Sequence, residues 1–142
     1  METQKLETCF TPALFEPGLH VGSTVVIIDI LRATSSICTA FEHGAESIIP
    51  VAGVEEARAY KKRGFLVAAE RDGIILDFAD LGNSPFNFSS ENIQGKTIVY
   101  STTNGTGIIR MASSAGCIVI GSFLNITSLC DWLISRTQNV LL

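Results

Sequence analysis

Short runs rich in Val and Ile, each four to seven residues long, alternate along the chain with segments of helical periodicity. Runs of this length and composition are typical of strands that are buried on both faces. Because such strands alternate with helices, the sequence predicts an α/β domain, Rossmann-like, with a mostly parallel sheet and flanking helices. The runs are Thr24 to Ile30, Ser47 to Val51, Phe65 to Ala69, Thr97 to Tyr100 and Cys117 to Ile120.

Helices are predicted between and after these strands, including one that carries Ile108 and Ile109. Apolar residues recur at helical spacing around Ile37 and again over Ile126 to Ile134, where they form a full amphipathic stripe. A more polar helix is predicted over Val54 to Arg63. Gly44 stands where a left-handed residue would end the helix around Ile37, and Gly64 stands at the same place after the helix over Val54 to Arg63.

The length of 142 residues is in the ordinary range of one domain, and we expect a single α/β domain over residues 1–142. Val140 to Leu142 has the composition of the first residues of a further strand, and the sequence ends there. We therefore expect the chain to be the N-terminal part of a longer protein, truncated at its C-terminus. The mean hydropathy of +0.35 indicates an apolar patch. This apolar patch could be a homodimer interface or the surface that contacts the rest of a longer chain.

Charge and composition exclude several classes of protein. The net charge of −4 is spread evenly, which argues against a nucleic-acid binder. The apolar stretch Val25 to Leu31 is far shorter than the roughly 20 residues that span a bilayer. The start, METQKLETCF, is neither a signal nor a transit peptide, so we expect a cytoplasmic protein. The four cysteines are too widely spaced for a zinc or iron–sulfur site, and we expect buried, reduced thiols.

The first polar crossing from a strand to a helix covers Asp29 to Ser36. It places Asp29 at the end of a buried strand, followed by Arg32 and the hydroxyls of Thr34 and Ser35. An Arg fork beside helix N–H groups suits a phosphate, and a carboxylate there suits magnesium. The alternative is purely structural: a hydroxyl caps the helix and Asp29 pairs with Arg32. The cost of burying an unpaired Asp favours a functional site.

The second polar crossing covers Ser101 to Gly107. Its glycines let a ligand approach the backbone, and its hydroxyls and amide offer donors to oxyanions. A capped turn is the alternative. A Rossmann nucleotide binder is a weaker hypothesis, because Arg110 stands where the dinucleotide fingerprint needs its third glycine. The candidate ligand contacts in this loop are Thr102, Thr103, Asn104, Gly105 and Thr106.

Three further positions lie near the same predicted edge. Glu70 and Arg71 follow the third strand and could reach the same crevice. For Gly82 to Pro85 a plain turn and a binding site are equally supported. Asn125 opens the last helix, where it is as well explained by a cap as by a ligand contact.

Five segments, in their order along nearly the whole chain, resemble the 2-phosphosulfolactate phosphatase family: VVIIDILRATSSICTAFEHGAESIIPV, AERDG, GNSP, YSTTNGT and IGSFLN. The resemblance implies an α/β enzyme of coenzyme M biosynthesis that hydrolyses 2-phospho-3-sulfolactate to 3-sulfolactate and phosphate with Mg²⁺. Members of that family continue well beyond the length of this chain. The family's motif positions fall on Asp29, Arg32, Thr34, Ser35, Glu70, Arg71, Asn83, Ser84, Thr102, Asn104, Gly105, Thr106 and Asn125.

The resemblance and the polar crossings together give a mechanistic hypothesis. Asp29 and Glu70 would hold Mg²⁺, while Arg32 and two helix N-termini neutralise charge on a small phosphorylated anion. Either an activated water or Asp29 itself would attack phosphorus, and Arg71 would suit the sulfonate. The competing hypothesis is a non-catalytic phosphate-binding or interaction module that keeps the same cradle without turnover.

Overall fold

The computed structural model describes residues 3–142, and the elements of this part of the chain follow the predicted alternation. The α-helices are α1 (Ala33–Glu42), α2 (Val54–Lys62), α3 (Ser90–Ile93), α4 (Gly105–Met111) and α5 (Ile126–Ile134). The strands are β1 (Leu6–Glu7), β2 (Thr24–Ile28), β3 (Ser47–Pro50), β4 (Leu66–Arg71), β5 (Ile74–Ile75), β6 (Thr97–Ser101), β7 (Cys117–Gly121) and β8 (Val140–Leu141).

The strands form two sheets of four. The first has the order β1-β8-β2-β7 and is parallel throughout. The second has the order β3-β6-β4-β5, and only its edge strand β5 is antiparallel. The predicted mostly parallel α/β class is therefore confirmed. The strands divide between two sheets because β7 pairs with β2 instead of extending the sheet that contains β6.

Helix α1 packs between the two sheets, because its apolar side chains share one cluster with strands of both. That cluster includes Ile37 and Ala40 of α1, Ile98 and Tyr100 of β6 and, at its edge, Ile120 of β7. The other face of the second sheet is covered by α2. The buried apolar side chains each contribute about 1.5–3 kcal/mol to folding, so the start of α1 is firmly placed between the two strand ends.

The ends of the helices agree with the sequence pattern, whereas the burial of α5 does not. Gly44 and Gly64 adopt φ values of 87° and 86°, the left-handed conformation predicted for them. Helix α5 lies where its periodicity predicts, yet none of its residues is buried, and Ile134 is 77% exposed. Its apolar stripe is left largely uncovered by residues 3–142. The prediction of buried thiols is wrong: Cys130 lies exposed on this helix, and Cys9, Cys38 and Cys117 are only half-buried. All four cysteines are free.

Strand β4 continues two residues further than predicted, through Glu70 and Arg71. It does so because it forms a hairpin with β5 across Asp72 and Gly73, which take φ values of 52° and 81°. Two consecutive left-handed residues are the requirement of the tightest hairpin turn, and Asp-Gly meets it. Since successive strand side chains point to opposite faces, Glu70 and Arg71 face in different directions. No helix in residues 3–142 has the length and apolar character needed to cross a bilayer.

Candidate active site

A polar cavity of about 200 Å³ lies where three loops meet at the carboxyl ends of β2, β4 and β6. Ligands of open parallel sheets bind at this edge, so the structure brings together the two polar crossings that the sequence singled out. The lining residues are Asp29, Leu31, Arg32, Glu70, Asp72, Gly73, Asn83, Thr102, Thr103 and Asn104. A second, apolar cavity of about 360 Å³ lies elsewhere, against β2, α4 and residues 8–15.

The loop after β2 is closed by its own hydroxyls. The Asp29 N–H donates to Thr34 Oγ1 at 3.0 Å, and the Thr34 N–H donates to the Asp29 carbonyl at 2.9 Å. Ser35 Oγ donates to the Ile30 carbonyl at 2.8 Å. The side chains of Thr34 and Ser35 therefore shape the loop and are outside the cavity lining. This role is structural, but it is not the helix cap that the sequence left open for them, because Arg32 is the N-cap residue of α1 and no side chain in the described part of the chain caps that helix.

The ionic groups of this loop are left free by these contacts. Neither the Asp29 carboxylate nor the exposed Arg32 guanidinium forms an ion pair or hydrogen bond within residues 3–142, and they do not pair with each other. A half-buried carboxylate and an exposed guanidinium in one cavity are available to a ligand. The pairing of Asp29 with Arg32 in the structural alternative is therefore wrong, and the functional role of the two residues stays a prediction.

Glu70 joins two of the three loops. This carboxylate is 5% exposed; Oε1 accepts from the Thr103 N–H at 3.0 Å and Oε2 accepts from the Gly73 N–H at 2.7 Å. The Asp72 N–H donates to Thr103 Oγ1 at 2.9 Å and reinforces the same junction. Hydrogen bonds of amides to a carboxylate are stronger than those to a neutral acceptor. Glu70 therefore fixes the hairpin turn against the loop after β6.

Arg71 lies outside the cavity, on the opposite face of β4. Its Nη2 donates to the Ala52 carbonyl at 3.0 Å and to Ser101 Oγ at 2.9 Å. Its Nη1 donates to the Glu70 carbonyl at 2.5 Å. Three acceptors within the protein occupy the guanidinium, so in this structure Arg71 ties β4 to its neighbours and makes no contact with the cavity.

The loop after β6 supplies the floor of the cavity. Thr102 Oγ1 is fully buried and has no hydrogen-bond partner within residues 3–142. A Cβ added at Gly105 would lie 2.6 Å from Ala33 Cβ, 3.2 Å from Thr102 Oγ1 and 3.5 Å from Asp29 Oδ2. Glycine thus lets the two loops touch and brings a hydroxyl and a carboxylate oxygen near one point. The buried Thr106 is turned inward, where its Oγ1 donates to the Thr102 carbonyl at 3.2 Å.

Of the other predicted positions, Asn83 and Asn104 line the cavity, whereas Ser84 and Asn125 do not. Ser84 precedes a short 3₁₀ turn, where its N–H donates to Asn87 Oδ1 at 3.4 Å. Asn125 borders a different groove, beside α1, and both ends of its amide are engaged. Oδ1 accepts from the Ser122 N–H and Nδ2 donates to the Ile120 carbonyl, each at 2.9 Å. The Asn125 side chain therefore closes the loop between β7 and α5, and it forms no capping hydrogen bond to the helix.

Sequence reasoning missed three residues that belong to this site. Asp72 and Gly73 line the cavity because the hairpin turns back over it, and the Asp-Gly pair was the available signal. Tyr100 contacts Asn83 from behind, and no feature of its apolar strand indicates that.

The donor set fits a magnesium ion that is shared with a phosphate. Mg²⁺ in phosphoryl-transfer sites uses one or two carboxylates and keeps several waters. Asp29 has a free carboxylate, and both its Oδ2 and the orphaned Thr102 Oγ1 lie within 3.5 Å of the point where a Cβ at Gly105 would stand. Glu70 is less free, since each of its oxygens already accepts an N–H. No cluster of three or more His, Cys, Asp or Glu side chains suited to a metal occurs in residues 3–142.

The sequence of the chain is similar to those of known proteins. Residues 9–142 match the family described as 2-phosphosulpholactate phosphatase. The chain is 45% identical over 119 residues to the probable 2-phosphosulfolactate phosphatase of Thermotoga petrophila, covering 84% of this chain and 52% of the relative. It is 42% identical over 140 residues to the protein of that name from Carboxydothermus hydrogenoformans, covering 97% and 57%. The chain thus spans about half the length of the curated relatives it matches. It belongs to the 2-phosphosulpholactate phosphatase family.

Proposed function

We propose that this chain is a magnesium-dependent phosphoric monoester hydrolase that converts 2-phospho-3-sulfolactate to 3-sulfolactate and phosphate. The observation that carries the proposal is the free pair of Asp29 and Arg32 in one cavity with the orphaned Thr102 hydroxyl. A carboxylate, a guanidinium and an unpaired hydroxyl are what a phosphoryl group and its metal ion require. The substrate in this proposal is taken from the names of the relatives.

The charge of the cavity supports a divalent cation. Its lining holds three carboxylates, those of Asp29, Glu70 and Asp72, against the single guanidinium of Arg32. A phosphate dianion alone would enter a site that already has an excess of negative charge, which Coulomb repulsion opposes. Asp29 and Thr102 are the residues that would hold Mg²⁺, with Glu70 behind them. The ion would act as a Lewis acid and withdraw negative charge from a phosphate oxygen.

The chain's own groups divide the remaining work. Arg32 is placed to donate to phosphate oxygens and to neutralise the charge that develops on them during transfer. Asp29 is the free carboxylate for either of two routes: it accepts the proton of a water that attacks phosphorus, or it attacks phosphorus itself and a water then hydrolyses the aspartyl phosphate. In both routes the P–O bond to the sulfolactate oxygen breaks, and that oxygen takes a proton from water and leaves as the alcohol. Glu70, through its two amide contacts, keeps the hairpin and the loop after β6 in place around the substrate.

The biological setting is part of the same proposal. The substrate places the reaction in coenzyme M biosynthesis, in the cytoplasm, and the uncovered apolar stripe of α5 is a surface on which a homodimer could form. Gel filtration with light scattering would test the dimer, with a mass near twice 15.2 kDa as the expected result.

The function is tested by phosphate release from 2-phosphosulfolactate, measured with Mg²⁺ and with EDTA. We expect release that requires Mg²⁺ and is lost in Asp29→Ala, while Arg110→Ala, outside the cavity, retains it. If Asp29→Ala released phosphate at the same rate, the assignment would be wrong. Stabilisation of the chain by inorganic phosphate without any turnover would instead identify a non-catalytic module.

A further inference from the structure

A buried phenol lies behind the cavity, in contact with one of the residues that line it. Tyr100 is fully buried near the end of β6. Its hydroxyl donates to Asn83 Oδ1 and lies 3.4 Å from the Ala33 carbonyl oxygen. The phenol has one proton to give, and the contact with Asn83 is the shorter of the two. A polar group in this apolar cluster therefore has a definite partner in the site.

The contact fixes which end of the Asn83 amide faces the cavity. An Asn side chain has an acceptor end, Oδ1, and a donor end, Nδ2. Because Tyr100 occupies Oδ1, the Nδ2 end remains, and it forms no hydrogen bond within residues 3–142. Asn83 lines the cavity while being 8% exposed. Phosphate oxygens accept hydrogen bonds from an N–H and are repelled by a carbonyl oxygen, so the orientation decides whether Asn83 attracts or repels the ligand.

A second contact holds the main chain of the same residue. Ser36 of α1 is fully buried, and its Oγ donates to the Asn83 carbonyl at 2.8 Å. Asn83 is thus fixed at its backbone by α1 and at its side chain by β6.

We infer that Tyr100 is a positioning residue, which orients the Asn83 amide so that Nδ2 donates to the phosphoryl group of the substrate. This inference rests on the proposed function, since it takes a phosphate as the ligand. Tyr100 itself does not touch the substrate. Without the phenol, a turned amide would bring Oδ1 towards the phosphate while Nδ2 reaches for the Ala33 carbonyl, and the site would lose a donor and gain a repulsive oxygen.

A double-mutant cycle tests this inference through the affinity for inorganic phosphate in MgCl₂, measured by calorimetry. We expect Tyr100→Phe to weaken binding by about fivefold and Asn83→Ala to weaken it by about tenfold or more, because a donor to a charged group is lost. In the double variant, Tyr100→Phe should add nothing further. Tyr60→Phe is the matched control, because that hydroxyl has no hydrogen-bond partner within residues 3–142, and it should bind like the parent chain.

The outcomes separate the two proposals. If the parent chain binds no phosphate, the proposed function fails and the inference falls with it. If the parent binds, and Tyr100→Phe binds equally well or weakens binding by the same factor with and without Asn83, only the inference is overturned. Asn83→Asp keeps the buried volume and leaves the Tyr100 contact in place. It should weaken binding more than Asn83→Ala does, and binding equal to that of the parent would overturn the inference.

Discussion

Glu70 Oε1 accepts a hydrogen bond from the Thr103 N–H at 3.0 Å, which connects the end of β4 to the loop after β6. The other oxygen accepts from the Gly73 N–H at 2.7 Å. One buried carboxylate therefore holds two of the three walls of the cavity. Asp29, by contrast, leaves its carboxylate free for a ligand. The two acids that the sequence predicts as a metal pair thus have different surroundings.

Replacement of Glu70 by Gln should destabilise the chain. Gln keeps the shape but offers one acceptor oxygen, so one of the two amide donors loses its partner at a cost of about 1–3 kcal/mol. Thermal unfolding should show a Tm lower by about 3–10 °C for a domain of this size. The control is Glu42→Gln, on the exposed end of α1, which should leave Tm unchanged. Equal Tm values for Glu70→Gln and the parent would contradict the bracing role.

The two glycines of α4 should respond oppositely to alanine. At Gly105 the added methyl group would lie 2.6 Å from Ala33 Cβ, so the loops must separate at a cost of about 1–3 kcal/mol, and phosphate binding should weaken. At Gly107 nothing lies within 4 Å, and alanine should stabilise the helix by about 0.5–1 kcal/mol. Denaturant unfolding of both variants checks this. A Gly105→Ala variant as stable as Gly107→Ala would disprove the close approach of the two loops.

Arg32→Ala should weaken phosphate binding without loss of stability. The guanidinium is exposed and makes no ion pair within residues 3–142, so its removal leaves no group unsatisfied. A lost charged donor to a phosphate corresponds to about tenfold or more in affinity. Calorimetry with inorganic phosphate and a melting curve measure the two effects. The control is Arg110→Ala: Arg110 pairs with Glu56 at 3.8 Å on the surface, and its loss should change neither phosphate binding nor stability appreciably. An unchanged phosphate affinity in Arg32→Ala would show that Arg32 is not part of the site.

Asp80 should make stability depend on acid pH. Burial acts to raise the pKa of this carboxyl, but the hydrogen bond from Lys61 and that from the Val67 N–H outweigh it, and the pKa lies below its ordinary value. The stability from Asp80 is therefore fully present above about pH 4, the unfolded value, and is lost as the pH falls through the lower folded pKa.

The measurement is denaturant unfolding of Asp80→Asn between pH 7 and pH 2. The variant should be less stable than the parent at pH 7, and the two should converge in the acid range. Asp77→Asn is a matched control, because Asp77 also pairs with a cation of α2 but is 79% exposed, and it should have little effect at any pH. A difference between Asp80→Asn and the parent that stays constant down to pH 2 would show that the carboxylate charge contributes nothing.

Periodicity predicted the order of the strands and helices because burial on both faces leaves a strong pattern in the residues. The direction in which a side chain points was harder to predict from the sequence than the order of the elements. Glu70 and Arg71 are adjacent in sequence, yet strand alternation sends one into the cavity and the other to the Ala52 carbonyl and Ser101. The strand extends that far because of its pairing with β5, a tertiary contact that depends on the Asp-Gly turn.

The division of polar residues between binding and capping also lies beyond sequence pattern. Asn125 and Asn83 both stand near strand ends, but the first has both amide ends used by its own loop, and the second keeps Nδ2 free. Tyr100 resembles any aromatic residue of a buried strand. The Tyr100 hydroxyl has a role in the site only because Asn83 approaches it from a loop that is distant in sequence.

We propose that the cavity between Asp29, Glu70 and Thr102 binds the phosphoryl group. Amide ¹H–¹⁵N spectra of the chain, titrated with inorganic phosphate in MgCl₂, locate the bound anion residue by residue. We expect saturable shifts confined to residues 29–36, 70–73, 83 and 102–106, and their loss in Asp29→Ala. Shifts centred on the apolar cavity along residues 8–15, or shifts that persist in Asp29→Ala, would contradict it.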